Sequence, residues 1–183
     1  MLRLRCSTSE AWIEAVIADL DTFLQDHAAN ERKVSASAMT LAVHYPLRRP
    51  LVDAMVRLAR DEQIVDARGQ TLGLDAPDPY MRAMRRLMRK RDIEEYLLDR
   101  LVVFGVVEAR ACERFTLLGR ALPDPSLRDF YRALARAEAR HHGQFLRLAH
   151  HYAACRAVSA RLGTVLEAEA EIIAALPVRA ALH

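Results

Sequence analysis

Four long stretches of the chain share one feature: apolar residues recur at steps of three and four, and one glutamate interrupts each apolar face. The stretches cover about residues 20–45, 51–68, 93–120 and 127–152. Such spacing puts the apolar residues on one side of an α-helix. The glutamates at the centres of the four faces are Glu31, Glu62, Glu108 and Glu138. The pattern predicts an all-α fold of long helices with acidic groups turned towards the core.

The spacing of these glutamates pairs the helices. Glu31 and Glu62 are 31 residues apart, and Glu108 and Glu138 are 30 apart. Two helical hairpins would therefore each present one glutamate from both members at a similar depth. A carboxylate in a core is unfavourable unless it is paired or binds a metal. We predict that the four carboxylates converge on a pair of divalent cations.

A histidine strengthens this prediction in the fourth helix. His141 follows Glu138 by three residues, in the stretch "EARH". Ferritin-like di-iron bundles take one Glu from each of two helices and a Glu-x-x-His pair from each of the other two. After Glu62 the chain reads "EQIV", so Val65 stands where a second histidine is expected. A lone Glu-x-x-His pair is usually a surface pair, but its place on an apolar face favours metal binding.

Several neighbouring polar residues have two possible roles. His27, one turn before Glu31, would either orient a ligand or be an ordinary core or surface histidine. Asp66 would replace the missing histidine or lie at the surface. Glu113 is expected in solvent or paired with an arginine, and Cys112 as a small buried residue. His142 lies off the apolar face, so we expect it beside the ligands or at the surface.

The remaining sequence favours one helical domain over residues 1–183. Hydrophobic residues make up 52% of the chain but aromatics only 6%, which is typical of helix rather than sheet. Pro46 and Pro50 separate the first two helices, and "ALPDPS" separates the last two, with Asp124 or Ser126 available as N-cap. A further helix is predicted at about residues 156–176. The predicted fold class is thus an all-α, ferritin-like four-helix bundle with additional short connector and C-terminal helices.

Cysteine usage and hydropathy bear on location. Cys6, Cys112 and Cys155 are odd in number and scattered, which is typical of reduced thiols in the cytoplasm. The sequence shows neither a signal peptide nor an apolar run of transmembrane length. We therefore expect a cytoplasmic protein.

One short stretch, "YMRAMRRLMRKR", concentrates positive charge. Its methionines recur at helical spacing, so an amphipathic helix could turn its arginines outward. Such a face would contact the phosphates of a nucleic acid without reading bases. A simply solvated face is the equal alternative. The candidate phosphate-binding residues are Arg82, Arg85, Arg86 and Arg89.

Five segments carry a family resemblance and cover most of residues 20–175. The pair "EARACERF" and "EARH" is the most specific part. The chain resembles the MiaE-type bacterial tRNA hydroxylases, which act on 2-methylthio-isopentenyl-adenosine next to the anticodon. The matching segments are residues 26–46, 51–62, 97–119, 130–149 and 161–173.

The resemblance implies a non-haem di-iron monooxygenase that hydroxylates the isopentenyl group with dioxygen. It also implies two iron ions, a tRNA substrate and an external electron donor. By position in the family's motifs, the iron ligands would be Glu31, Glu62, Glu108, Glu138 and His141.

One departure from the family pattern leaves alternatives open. Where the family normally has a histidine ligand, this chain has Val65. The alternatives are a non-catalytic or mono-iron relative with a degenerate site, and an iron oxidase of the ferritin or rubrerythrin type. Phe104, Leu101 and Val65 are candidates for an apolar channel to the iron, by their positions on the apolar faces.

Overall fold

A computed structural model describes residues 2–66 and 78–183, with the backbone alone for residues 62–66. The described residues form α-helices and contain no strand, so the all-α prediction is confirmed. The helices are α1 (Glu10–Ala18), α2 (Leu20–His44), α3 (Arg49–Asp66), α4 (Pro79–Arg86), α5 (Ile93–Ala121), α6 (Pro125–Tyr152) and α7 (Cys155–Ala175).

Backbone contacts divide the chain into two compact units. One comprises Met1–Ala15, Asp78–Val178 and His183; the other comprises Val16–Pro77 and Arg179–Leu182. The sequence-based prediction of a single domain over residues 1–183 stays a prediction. Among the described residues, no helix combines the length and apolarity that crossing a bilayer requires.

In the first unit, α5 and α6 form a hairpin with a short turn. Asp124 caps α6, because its carboxylate accepts from the backbone N–H groups of Ser126 at 2.7 Å and Leu127 at 3.0 Å. Between the two possible N-caps, the structure thus selects Asp124. The predicted apolar faces of both helices are largely buried, with Leu101, Phe115 and Tyr131 fully enclosed.

A buried ion-pair network, which the sequence pattern did not reveal, joins α5 to α7. The guanidinium of Arg110 donates to both carboxylate oxygens of Glu169, at 2.8 and 2.9 Å, and both side chains are fully buried. Arg110 also pairs with Glu113, and the hydroxyl of Tyr80 donates to Glu169 at 3.3 Å. Burial acts to lower the pKa of Arg110, but the Glu169 carboxylate outweighs it and raises that pKa. Arg110 therefore keeps its positive charge in the core.

The surroundings of this network explain two other residues. Glu113 accepts from the backbone N–H of Thr8 at 3.1 Å and from its hydroxyl at 2.8 Å, which holds the N-terminal segment against α5. The interpretation of Glu113 as an arginine partner is thereby confirmed. Burial and the nearby charge of Arg110 lower the pKa of Arg114 to about 10, and its guanidinium lies over the Trp12 ring, 4.7 Å from the centroid.

In the second unit, α2 and α3 pack as another hairpin. The hydroxyl of Ser35 donates to the carbonyl of Ala59 at 3.0 Å, which fixes the level of one helix against the other. Leu41 is buried on the predicted apolar face of α2, and Phe23 is buried beside that face. The C-terminal segment belongs to this unit, since the backbone N–H of Leu182 donates to Asp26 at 2.7 Å.

Close packing of α5 on α6 requires Gly119, and this gives a first prediction. A Cβ at this position would lie 2.8 Å from Cγ and 3.3 Å from the backbone nitrogen of Arg132. We expect Gly119→Ala to lower the free energy of unfolding by about 1–2 kcal/mol, because overpacking outweighs the gain in helix propensity. Urea unfolding of the wild-type protein and the variant would measure this change in the free energy of unfolding.

Gly163 on α7 supplies the matched control. Nothing lies within 4 Å of a Cβ built there. Gly163→Ala should therefore raise the free energy of unfolding by roughly 0.5–1 kcal/mol, through the unfolded state. A stabilisation by Gly119→Ala of the same size would contradict the packing explanation.

Candidate metal centre

The α5–α6 hairpin brings three predicted ligands to one level. Glu108 lies thirteen residues before the end of α5 at Ala121, and Glu138 lies thirteen residues after the start of α6 at Pro125. In antiparallel helices, equal distances from the turn mean equal heights, here about 20 Å from the turn. His141 shares the face of Glu138 because it follows at a spacing of three.

The three side chains form a buried cluster. Glu108, Glu138 and His141 are only 4%, 3% and 4% exposed. One ligand atom from each lies within 4.8 Å of the others, and Nδ1 of His141 is 3.2 Å from Oε2 of Glu138. Within the described part of the chain, this is the group of acidic, histidine and cysteine side chains whose spacing suits a metal ion. Two buried carboxylates this close repel each other unless a positive charge lies between them.

Cys112 borders the cluster without supplying a thiolate. Its side chain is buried, and its thiol donates to the carbonyl of Ala135 at 3.2 Å. Burial, and then the charge of Glu138, raise the pKa of the Cys112 thiol. The interpretation of Cys112 as a small buried residue is confirmed, and the donors of the cluster are oxygen and nitrogen atoms.

His142 fastens α6 to α5 beside the cluster. It is buried, with Nδ1 3.3 Å from the carbonyl oxygen of Gly105, three residues before Glu108. Burial lowers the pKa of His142, which favours the neutral ring as donor to that carbonyl. Of the two expected places, the structure gives the one beside the candidate ligands.

Glu31 is buried in the Val16–Pro77 unit together with a histidine partner. The two side chains are 4% and 3% exposed, and Nε2 of His27 is 2.7 Å from Oε1 of Glu31. The ring of Phe23 stacks beside His27, with centroids 6.0 Å apart. His27 therefore holds one carboxylate oxygen of Glu31 in place, as a residue that orients a ligand would.

The structure describes Glu62 by its backbone only. It lies on α3, and the side chains of Glu62, Val65 and Asp66 are outside the described residues. Glu31 precedes Ser35 by one turn and Glu62 follows Ala59 by three residues, so the Ser35–Ala59 bond sets both backbones at matching levels. The structure places the carboxylates of Glu108 and Glu138 close together. The convergence of all four glutamates stays a prediction.

The basic helix α4 lies with its apolar side inward, as predicted. Tyr80 and Met84 are fully buried, whereas Arg82, Arg85 and Arg86 are exposed. Asp78 caps the helix by accepting from the backbone N–H of Met81 at 2.9 Å.

Arg89 differs from the three exposed arginines. Its guanidinium donates to the buried carboxylate of Asp99, with the shortest contact at 2.7 Å, and Arg161 reaches the same carboxylate at 2.8 Å. Burial acts to raise the pKa of Asp99, but hydrogen bonds from Arg89 and then Arg161 lower it. Arg89 therefore anchors the segment between α4 and α5 in this structure.

Comparison with known proteins agrees with this geometry. The family model described as tRNA-(MS[2]IO[6]A)-hydroxylase (MiaE) matches residues 2–183. A tRNA 2-(methylsulfanyl)-N(6)-isopentenyladenosine(37) hydroxylase of Pseudomonas putida is 38% identical over 178 residues, which are 93% of this chain and 86% of the relative. A Salmonella typhimurium protein of the same name is 33% identical over 156 residues, 81% of this chain and 56% of that protein.

A solved structure supports the fold. The Synechococcus protein described as having aldehyde deformylating oxygenase activity superposes with a TM-score of 0.90 at 30% identity. The match covers 100% of this chain and 96% of the other. The ferritin-like fold predicted from the sequence is thereby confirmed. From the buried cluster on α5 and α6, the full-length family match and the two relatives, the chain belongs to the MiaE family of tRNA hydroxylases.

Proposed function

We propose that this chain is a dioxygen-dependent hydroxylase of tRNA carrying 2-methylthio-N6-isopentenyladenosine, with a non-haem iron centre built around Glu108, Glu138 and His141. The observation that carries the proposal is the buried cluster itself, with its three ligand atoms within 4.8 Å of one another. Its residues occupy the motif positions that the family resemblance predicts. Glu31 and Glu62 complete the proposed ligand set for two iron ions.

The donors of the cluster fit iron. Two carboxylates and one imidazole, without a thiolate, suit non-haem iron, and their negative charge offsets the charge of a divalent ion. Burial below 5% exposure excludes bulk water from the ligand atoms. Bound iron supplies the activation of dioxygen, while the chain supplies position and a dry environment.

Each site residue whose side chain the structure describes has a defined role in this proposal. Glu108 and Glu138 provide oxygen ligands from facing helices, and His141 provides a ring nitrogen. His27 holds Glu31 by its 2.7 Å contact, and His142 links α6 to the carbonyl of Gly105. These contacts keep the ligands in place before substrate binds, which reduces the reorganisation that the reaction requires.

The electron balance calls for a partner protein or another reductant. Hydroxylation of a C–H bond by dioxygen puts one oxygen atom in the product and releases the other as water. This consumes two electrons and two protons in addition to dioxygen. We propose that an external donor supplies the electrons.

The exposed arginines of α4 are proposed contacts for tRNA phosphates. Arg82, Arg85 and Arg86 lie on the outer side of a helix whose Tyr80 and Met84 are fully buried. Arginine forms bidentate hydrogen bonds with phosphate oxygens. Arg89, the fourth residue of the predicted set, would have to exchange its Asp99 contact for a phosphate.

Isotope labelling tests the proposed activity directly, and this is the second prediction. The iron-loaded protein is incubated with tRNA carrying the isopentenyl modification, a chemical reductant and ¹⁸O₂, and the nucleosides are analysed by mass spectrometry. We expect one labelled oxygen atom in the modified adenosine and none in tRNA that lacks the isopentenyl group. Consumption of dioxygen with oxidation of free ferrous iron, but without labelled nucleoside, would contradict the proposal and indicate an iron oxidase.

A further inference from the structure

A second basic surface lies on α6, in the unit that also contains the candidate metal-ligand cluster of Glu108, Glu138 and His141. Four arginines follow one another at steps of four residues, and Arg120 lies near the end of the facing helix α5. Of the two acidic residues on α6, Glu138 is buried, and the exposed Asp129 accepts a hydrogen bond from Arg132 at 3.0 Å, which a bound phosphate would replace. The row consists of Arg128, Arg132, Arg136 and Arg140.

The spacing of the row suits a chain of phosphates. Four residues of α-helix advance about 6 Å along the axis and turn the side chain by about 40°, so the row winds slowly around the outer side of the helix. Its side chains are held near the surface: Arg128 donates to the carbonyl of Leu122 at 3.0 Å, and Arg140 donates to that of Arg136 at 3.1 Å. Such partly fixed guanidinium groups lose less freedom when they bind an anion.

A groove between α5 and α6 runs beside the row. Its volume is about 300 Å³, and Arg120, Arg132 and Arg136 line it together with small uncharged residues. Gly119 allows this arrangement, because a Cβ there would lie 2.8 Å from Cγ of Arg132. The groove also includes Cys112, one turn after Glu108. It therefore follows the seam of the same hairpin towards the metal-ligand cluster.

We propose that Arg120, Arg132 and Arg136 form a phosphate-binding groove that holds the backbone of the RNA substrate against the α5–α6 hairpin. This inference rests on the tRNA substrate of the proposed function and adds a contact surface separate from the arginines of α4. The planar guanidinium group of arginine can donate two parallel hydrogen bonds to phosphate oxygens. The small side chains that line the groove let a sugar–phosphate chain approach closely.

An RNA backbone fits this surface better than an anionic membrane. Helices that bind membranes combine basic residues with large apolar side chains that enter the lipid. The uncharged residues lining the groove are small: Cys112, Thr116, Gly119, Ala135 and Ala139. The groove thus offers positive charge without an anchor for lipid.

The test compares two double variants in tRNA binding. In R132Q/R136Q both substituted side chains are exposed, so folding should not change. In the control R147Q/R156Q the same charge is removed from exposed positions outside the groove. The dissociation constant for modified tRNA is measured at several salt concentrations, together with the iron content and the turnover rate at saturating tRNA.

We expect R132Q/R136Q to raise the dissociation constant about tenfold and to reduce the slope of log affinity against log salt by about 1.5–2. The control should change the dissociation constant less than twofold. Iron content should stay unchanged in both variants, and turnover at saturating tRNA should stay unchanged in the control.

The possible outcomes separate this inference from the proposed function. Wild-type tRNA binding with an unchanged dissociation constant and salt slope in R132Q/R136Q would overturn the groove proposal alone. An equal loss of affinity in the control would also overturn it, since it would reflect net charge. Failure of the wild-type protein to bind tRNA at low salt would overturn the proposed function, and the groove proposal with it.

Discussion

Glu138→Gln is expected to lower bound iron at least tenfold and turnover by about 100-fold or more, while making the metal-free protein more stable. Glutamine keeps the size of the side chain but removes the charge that balances a metal ion. Glu138 is buried beside Glu108 and lies 3.2 Å from His141. The change therefore replaces one charged ligand oxygen in the middle of the cluster by a neutral, weaker ligand. The same change relieves repulsion between two buried carboxylates when no metal is bound.

Thermal unfolding with and without ferrous iron measures both the loss of iron binding and the gain in stability of the metal-free protein. Iron should raise the melting temperature of the wild-type protein, because a ligand that binds only the folded state stabilises it. It should have little effect on Glu138→Gln. Glu167→Gln is the matched control, since Glu167 is exposed on α7 and should leave iron binding unchanged. A Glu138→Gln protein that keeps its iron and its turnover would contradict the assignment of Glu138 as a ligand.

The second large effect concerns stability. Glu169→Gln is expected to lower the free energy of unfolding by about 3–5 kcal/mol, because it leaves the buried guanidinium of Arg110 without its main counter-charge. The ion pair with Glu113 offsets part of the loss. Chemical denaturation would measure the change, and the exposed neighbour Glu167→Gln should shift stability by less than about 0.5 kcal/mol.

A double variant distinguishes the ion pair from a general packing defect. Arg110→Met with Glu169→Leu replaces both fully buried charges by apolar groups, and the partly buried Glu113 keeps its hydrogen bonds from Thr8. We expect this double variant to be less destabilised than Glu169→Gln alone. If the double variant loses as much stability as the sum of its two single changes, the pair is not coupled and the explanation is wrong.

The sequence predicts the long helices well because their apolar faces are regular. The four predicted stretches correspond to α2, α3, α5 and α6, and the helix predicted at about residues 156–176 corresponds to α7. For α3 the comparison ends at Asp66, because the last two residues of the predicted stretch, 67 and 68, lie outside the described residues. The short helix α1 was not predicted, since nine residues give too little periodicity to separate a helix from its flanks.

Helix periodicity and hairpin geometry determine which parts of the site were predictable. Glu108, Glu138 and His141 could be placed together because a hairpin with equal arms brings residues at matching positions to one height. The His27–Glu31 contact follows from a spacing of four on one helix. Periodicity reports which face a residue occupies, but it does not report the distance between different hairpins. The convergence of Glu31 and Glu62 with the cluster therefore stays a prediction.

Pairings between distant charges were not predictable from local pattern. Arg110 and Glu169 are 59 residues apart in the chain and lie on helices whose contact no motif specifies. Arg89 resembles Arg82, Arg85 and Arg86 in sequence, but its guanidinium is held by the buried carboxylate of Asp99. Membership in the MiaE family, in contrast, followed from the segments around the glutamates, and the full-length family match confirms it and the enzyme class that it predicts.

Elemental analysis of the purified chain after iron-replete expression tests the central claim most directly. If the carboxylate and histidine side chains on the long helices hold a metal centre, the wild-type protein should carry about two iron ions per chain. Glu138→Gln prepared in parallel should carry close to none. Iron at background level in the wild-type protein would contradict the claim that Glu108, Glu138 and His141 are kept together in the core to bind metal.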